Sequence, residues 1–108
     1  MSEVSYVTKE AFKEEVLESE IPVIIDFTAD WCGPCKMVSP VVAELAGEWE
    51  GKIKVFKLDV DNDKELAVEY GVMSIPTLIL FINGEIAERL IGFKPKKKLI
   101  KKFQAYVS

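Results

Sequence analysis

Val23-Ile24-Ile25-Asp26-Phe27 limits what this chain can fold into more than any other stretch. The run has strand length and is almost wholly apolar, and Pro22 stops any helix leading into it. A strand with one wet face would alternate polar and apolar residues. A nearly continuous apolar run fits a strand covered on both faces, as in a parallel sheet flanked by helices. The rest of the chain supplies the other elements. Val4-Ser5-Tyr6-Val7 reads as a short strand, and Thr8 as the cap of a helix over residues 9–19 with Phe12, Val16 and Leu17 on one face. Beyond the run, Met37, Val38, Val41, Val42, Leu45 and Trp49 recur at helical spacing, with Pro40 expected to kink that helix. Residues 53–58 predict a third strand, and Asn62 with Glu65 a capping pair for a short helix to Tyr70. Residues 77–82 are strongly apolar, and Asn83-Gly84 joins them to residues 85–91 as a hairpin. Pro95 suits the first turn of a last helix whose inner face is Leu99, Ile100 and Phe103. The order is β-α-β-α-β-α-β-β-α, a parallel core with an antiparallel edge, and the pattern alone leads to a three-layer α/β sandwich.

The 108 residues make one small domain, 1–108, able to bury about two-thirds of its unfolded surface. No apolar run approaches the roughly 18 residues that span a membrane. Met1-Ser2-Glu3-Val4 has no basic segment followed by an apolar one, so no secretory signal is expected and the cytoplasm is the expected location. A net charge of −4 gives no general reason to expect nucleic acid or anionic lipid as partner. The absence of histidine excludes Ser-His-Asp and Cys-His catalysis and His-ligated metals.

The only two cysteines stand in Trp31-Cys32-Gly33-Pro34-Cys35-Lys36, directly after the buried run. A Cys-x-x-Cys at that place reads first as a redox pair. A helix starting near Cys32, with Pro34 in its first turn, puts the first thiol at a positive helix end and favours its thiolate. Lowering a thiol pKa from about 8.5 to about 7 raises its thiolate fraction at pH 7 about 15-fold, but lost nucleophilicity takes back roughly 5-fold. The larger effect must be proximity, with Cys35 held ready to attack a mixed disulfide. The competing readings are a structural disulfide, a zinc half-site and two inert core thiols. So short a loop gains only about 2 kcal/mol from cross-linking. Zinc needs four ligands, leaving only a site shared across a dimer.

Asp26 is the odd residue of its run. It is either a desolvated acid with a raised pKa or an ordinary Asp at a wetter strand edge. Residues 94–102 hold six of the fourteen basic residues. A nucleic-acid or lipid patch is one reading. The favoured one is a solvated helix face whose lysines complement the C-terminal dipole.

The Trp-Cys-Gly-Pro-Cys-Lys segment resembles the active site of thioredoxins, and the likeness covers residues 4–107. It implies the thioredoxin fold, three-layer α/β/α with a central mixed sheet of about five strands and four helices. It also implies a protein-disulfide reductase that carries electrons by dithiol–disulfide exchange, with Cys32 as nucleophile and Cys35 as resolving thiol. Asp26 then lies buried beneath the pair and handles the Cys35 proton, and Lys57 modulates it unless it is merely a solvated strand lysine. The resemblance further implies a cis bond before Pro76, and a shallow target-binding groove formed by Trp31, Gly33, Pro34, Ile75, Pro76 and Gly92. Simple packing of Trp31 and a strand end at Gly92 are the plainer readings. No cofactor is expected. The implied partners are disulfide-containing target proteins and a thioredoxin reductase, NADPH- or ferredoxin-linked, with the chain a monomer. Thr28 stands where many relatives carry an aromatic, and Ser74 where many carry glycine; these departures touch packing and the groove's rim. The rivals are a thiol oxidant or isomerase on the same fold, which usually has histidine between its cysteines, and a binding subunit whose cysteines are incidental.

Overall fold

A computed structural model describes residues 4–107. Residues 1–3, on which the expectation of no secretory signal partly rests, and residue 108 lie outside the described residues. The chain runs through β1 (Ser5–Tyr6), α1 (Lys9–Phe12, continued by a π-helical turn over Lys13–Leu17), β2 (Val23–Thr28) and α2 (Gly33–Glu48). It continues through β3 (Lys54–Asp59), α3 (Lys64–Glu69), β4 (Thr77–Ile82), β5 (Glu85–Ile91) and α4 (Lys96–Phe103), closing on a 3₁₀ turn over Gln104–Tyr106. All six residues of β2 are buried. The sheet order is β1-β3-β2-β4-β5. Strands β1, β3 and β2 are parallel; β4 pairs antiparallel with β2, and β5 antiparallel with β4 at the edge. The expected mixed sheet of five strands with four helices is what the chain forms.

Alternation along β2 divides the core in two. Val23, Ile25 and Phe27 meet Phe12 and Val16 of the first helical segment and Leu66 and Ala67 of α3. Ile24, on the other face, meets Val38, Val42 and Leu45 of α2 and Leu99 and Phe103 of α4. Asp26 lies on this second face, the one that α2 covers. Phe12, Tyr70 and Phe81 stack edge-on or tilted on the first face, with centroids 5.1–5.7 Å apart. Among the described residues no helix is long and apolar enough to cross a membrane.

The strands from β2 onward fall within a residue of their predicted positions; the differences lie at helix ends. Thr8 takes the N-cap position but makes no side-chain cap bond. Asp63 does that work from across the fold, its Oδ1 accepting the Lys9 N–H at 3.2 Å. The capping pair expected at Asn62 is displaced for the same reason: Asp63 is the N-cap of α3, its carboxylate is turned to Lys9, and the Asn62 amide reaches Asp59 instead. The first helix closes at Leu17, two residues early. Glu18 bonds back to the Lys13 carbonyl, and the Ser19 hydroxyl diverts the backbone by bonding Ile21. Met37 is 59 % exposed, one residue off the stripe formed by Val38, Val42 and Leu45. Helix α2 continues through Pro40, which lies on its exposed side.

The hairpin follows its Asn-Gly signal. Asn83 and Gly84 both have positive φ, 53° and 80°, as a type I′ turn requires. A Cβ on Gly84 would stand 3.0 Å from the Leu17 carbonyl oxygen, whereas one on Gly51, at φ 85°, would meet nothing within 4 Å. Gly51→Ala is therefore expected to lose roughly 1–2 kcal/mol from its left-handed backbone alone, and Gly84→Ala measurably more. Urea unfolding midpoints of the two variants check this; equal losses would rule out the close approach of the hairpin to Leu17.

Candidate active site

Strand β2 ends at Thr28, and after three intervening residues the chain enters the cap of α2. Cys32 is the N-cap, and Gly33 and Pro34 open the helix. Pro34 needs no hydrogen-bond acceptor there, since the first turn's N–H groups have no partner within the helix. One turn on, Cys35 is disulfide-bonded to Cys32, with Cα atoms 5.3 Å apart. The Cys35 N–H donates to Cys32 Sγ at 3.2 Å. Both sulfurs belong to buried residues, 4 % and 1 % exposed. Cys32 Sγ lies 3.8 Å from the Ile75 carbonyl oxygen. The Ile75–Pro76 peptide bond is cis, and the Pro76 carbonyl accepts the Gly92 N–H at 2.8 Å. The Ile75–Pro76 segment, distant in sequence, thus meets the pair, and Gly92 is tied to that segment in turn.

Beside Cys32 is a groove of about 370 Å³, lined by Trp31, Val60, Ala67, Val72, Met73, Ser74 and Ile75. Of the expected groove residues, Trp31 and Ile75 line this one. Gly33 and Pro34 are exposed in the first turn of α2, Pro76 is buried, and Gly92 is half-buried. The Trp31 ring is not packing: the residue is 67 % exposed, and its Nε1–H donates to Asp61 Oδ2 at 2.8 Å. Val60, Ala67, Val72 and Met73 were missed as lining residues. An apolar Val72-Met73 pair in a loop just before Ser74-Ile75-Pro76 was the available signal, and Met73 is 97 % exposed. Asp61 gave no sequence signal. Ser74 does stand on the groove's rim, its carbonyl accepting the Thr77 hydroxyl at 2.7 Å. Thr28 is buried and its carbonyl pins Val60 through a 2.9 Å bond.

Asp26 is fully buried, which removes the wetter-edge reading. Neither of its carboxylate oxygens has a hydrogen-bond partner among the described residues. Burial raises its pKa to about 7, against a smaller opposing pull from the Lys57 charge. Lys57 is its register neighbour on β3. The ammonium group does not close a salt bridge with Asp26 among the described residues; it lies 5.0 Å over the Tyr6 ring, one strand further out.

The thioredoxin family model matches residues 3–105. The chain belongs to the thioredoxin family. A thioredoxin of Pyropia yezoensis is 50% identical over 105 residues, covering 97% of this chain and 98% of that protein. A thioredoxin of Synechocystis is 46% identical over 107 residues, covering 99% and 100%. The chloroplastic M-type thioredoxin of Spinacia oleracea is 48% identical over 108 residues, covering 100% of this chain and 60% of that protein. Thioredoxin family membership and the closed Cys32–Cys35 pair give this chain the role of a dithiol–disulfide reductase.

The acid on the sheet's second face has a thermodynamic signature. Unfolded, Asp26 titrates near the ordinary 3.8; folded, near 7. Below about pH 4 both states hold the proton and burial adds no pH-dependent penalty. Between the two values only the unfolded state releases it, so stability falls as pH rises, levelling off above about 7 at a loss on the order of 4 kcal/mol. Asp26→Asn is expected to be the more stable protein at pH 8, with the advantage shrinking by a few kcal/mol at pH 4. Urea unfolding of both proteins at the two pH values measures this, and a pH-independent difference would contradict it.

Proposed function

We propose that the chain reduces disulfides of other proteins, with Cys32 attacking and Cys35 resolving. The observation that carries this reading is the disulfide at the first turn of α2, formed while the helix that starts there runs on unbroken. In the dithiol form the helix N-terminus and the Cys35 N–H both favour negative charge on Cys32 Sγ. The thiolate attacks one sulfur of a target disulfide. A Cys32–target bond forms, the target S–S bond breaks, and the second target sulfur leaves as a thiolate. Cys35 then loses its proton and attacks Cys32 Sγ. The Cys32–target bond breaks, the Cys32–Cys35 bond forms, and the target departs with two thiols and two electrons.

Asp26 is the proton acceptor for Cys35 in this scheme. A carboxyl titrating near 7 takes and returns a proton at neutral pH. Lys57 modulates it, since its charge opposes the desolvation that keeps Asp26 neutral. Trp31, Gly33, Pro34, Ile75, Pro76 and Gly92 are the target-binding residues. The support is the Ile75 carbonyl beside Cys32 and the apolar groove that starts at Trp31. An extended target segment laid there would find backbone hydrogen bonds and apolar contact.

The oxidised pair has to be reduced again, and the partner for that step is a thioredoxin reductase fed by NADPH or ferredoxin. The chain is then a monomeric electron carrier in redox homeostasis. A disulfide reductant works where thiols are kept reduced, which supports the cytoplasm as its place.

Cys35→Ser, mixed with a disulfide-bearing peptide, is expected to accumulate a one-to-one covalent adduct through Cys32, seen by non-reducing mass spectrometry. Cys32→Ser is expected to form none and to lose at least roughly 100-fold in reduction rate. Reductase activity surviving in Cys32→Ser, or an adduct on Cys35 in place of Cys32, would sink the assignment of roles.

A further inference from the structure

The charges of this chain are sorted along its length. Residues 1–91 carry all eighteen acidic residues and eight of the basic ones, while residues 92–108 carry six lysines and no acid. The two stretches therefore have formal charges of −10 and +6. Packing uses only part of the positive charge. Lys96 reaches Glu44 at 3.1 Å and Glu48 at 2.7 Å, tying α4 to α2. Lys98, Lys101 and Lys102 share one face of α4, since residues three and four apart are neighbours on a helix. Leu99 and Phe103 take the buried face.

With Lys94, these lysines line a cleft of about 630 Å³ beside β5, where Leu90 and Glu88 complete the lining. Glu88 does not neutralise them all. It accepts from the Tyr106 hydroxyl at 2.7 Å and pairs with Lys102 at 3.2 Å. Lys94, Lys98 and Lys101 make no salt bridge among the described residues. Lys94 stands two residues after Gly92, which is bonded to Pro76 next to the reactive pair. The cleft thus begins close to where a target would sit.

We propose that this cleft docks an acidic polypeptide segment of the proteins whose disulfides the chain reduces, which rests on the reductase reading above. An acidic segment near the target disulfide meets three uncompensated lysines and steers the sulfur toward Cys32. The apolar surface of Leu90 accommodates the stems of its side chains. A short segment is the occupant that fits. An extended polyanion, a nucleic acid or an anionic membrane, would also press against the strongly acidic remainder of the molecule.

The test uses two disulfide peptides, identical except for a short tail of Glu or of Gln, in single turnovers with the pre-reduced chain. At low salt the Glu-tailed peptide is expected to be reduced roughly three- to tenfold faster, and the preference to vanish in about 0.5 M NaCl. Lys94→Gln/Lys98→Gln/Lys101→Gln is expected to abolish the preference while leaving the Gln-tailed rate unchanged. Equal rates for the two peptides with the unmodified chain, or a preference that survives in the triple variant, overturn the proposal. Reduction of neither peptide would remove the reductase reading itself. A fluorescence titration with a cysteine-free Glu-rich peptide then decides the cleft separately: salt-sensitive binding lost in the triple variant upholds it, and no binding ends it. Tighter binding to duplex DNA or to phosphatidylserine vesicles than to the peptide overturns the choice of occupant.

Discussion

Burial of β2 on both faces sets the terms for the rest of the structure. A strand between two helical layers needs apolar side chains on both sides, and all six of its residues are buried. Its two faces organise the two halves of the core, one under the first helical segment and α3, the other under α2 and α4. Two of the six are polar, Thr28 at the strand's end and Asp26 within it, and Asp26, the charged one, stands on the face that α2 covers. A carboxyl with no hydrogen-bond partner in that position is driven toward its neutral form, where a surface acid would stay ionised. The strand's end then delivers the chain to the start of α2, where backbone N–H groups face the first cysteine.

The pair needs rather little from its surroundings to be reversible. Cys32 is a helix cap and Cys35 lies one turn on, so the closed form fits the first turn of an otherwise regular helix. The same Cys35 N–H that meets the bonded sulfur at 3.2 Å is placed to meet a thiolate. What the fold adds is the company of Ile75-Pro76 and Gly92, which arrive from the β4–β5 side and leave a backbone carbonyl near Cys32. The cysteine pair occupies one turn of helix, and the backbone beside it comes from a distant loop.

Elements whose signals are local were legible in the sequence. The β2 run, the β4–β5 hairpin with its Asn83-Gly84 turn, and the Leu99–Phe103 face of α4 each carry their own pattern. Contacts between distant residues were not legible. Asp63 caps the first helix from 54 residues away, and a reading of local spacing gave that role to Thr8. Asp61 anchors the Trp31 ring, and Val60 joins the groove because Thr28 holds it there. The cis bond at Pro76 has no local signature distinguishing it from any other proline at a strand start. That expectation came from the family likeness, which also supplied the role for an acid whose pattern alone left two readings open.

Cys32 and Cys35 form a couple poised to give electrons away. Its direct measurement is the reduction potential of the pair, by equilibration in glutathione buffers with the disulfide fraction read by alkylation. A reductant is expected to remain predominantly disulfide in a buffer poised at about −240 mV, each 30 mV below the buffer being worth about 1.4 kcal/mol toward the disulfide. A pair found predominantly as dithiol in that buffer would be an oxidant or isomerase, and the assignment of Cys32 and Cys35 as an electron-donating couple would be wrong.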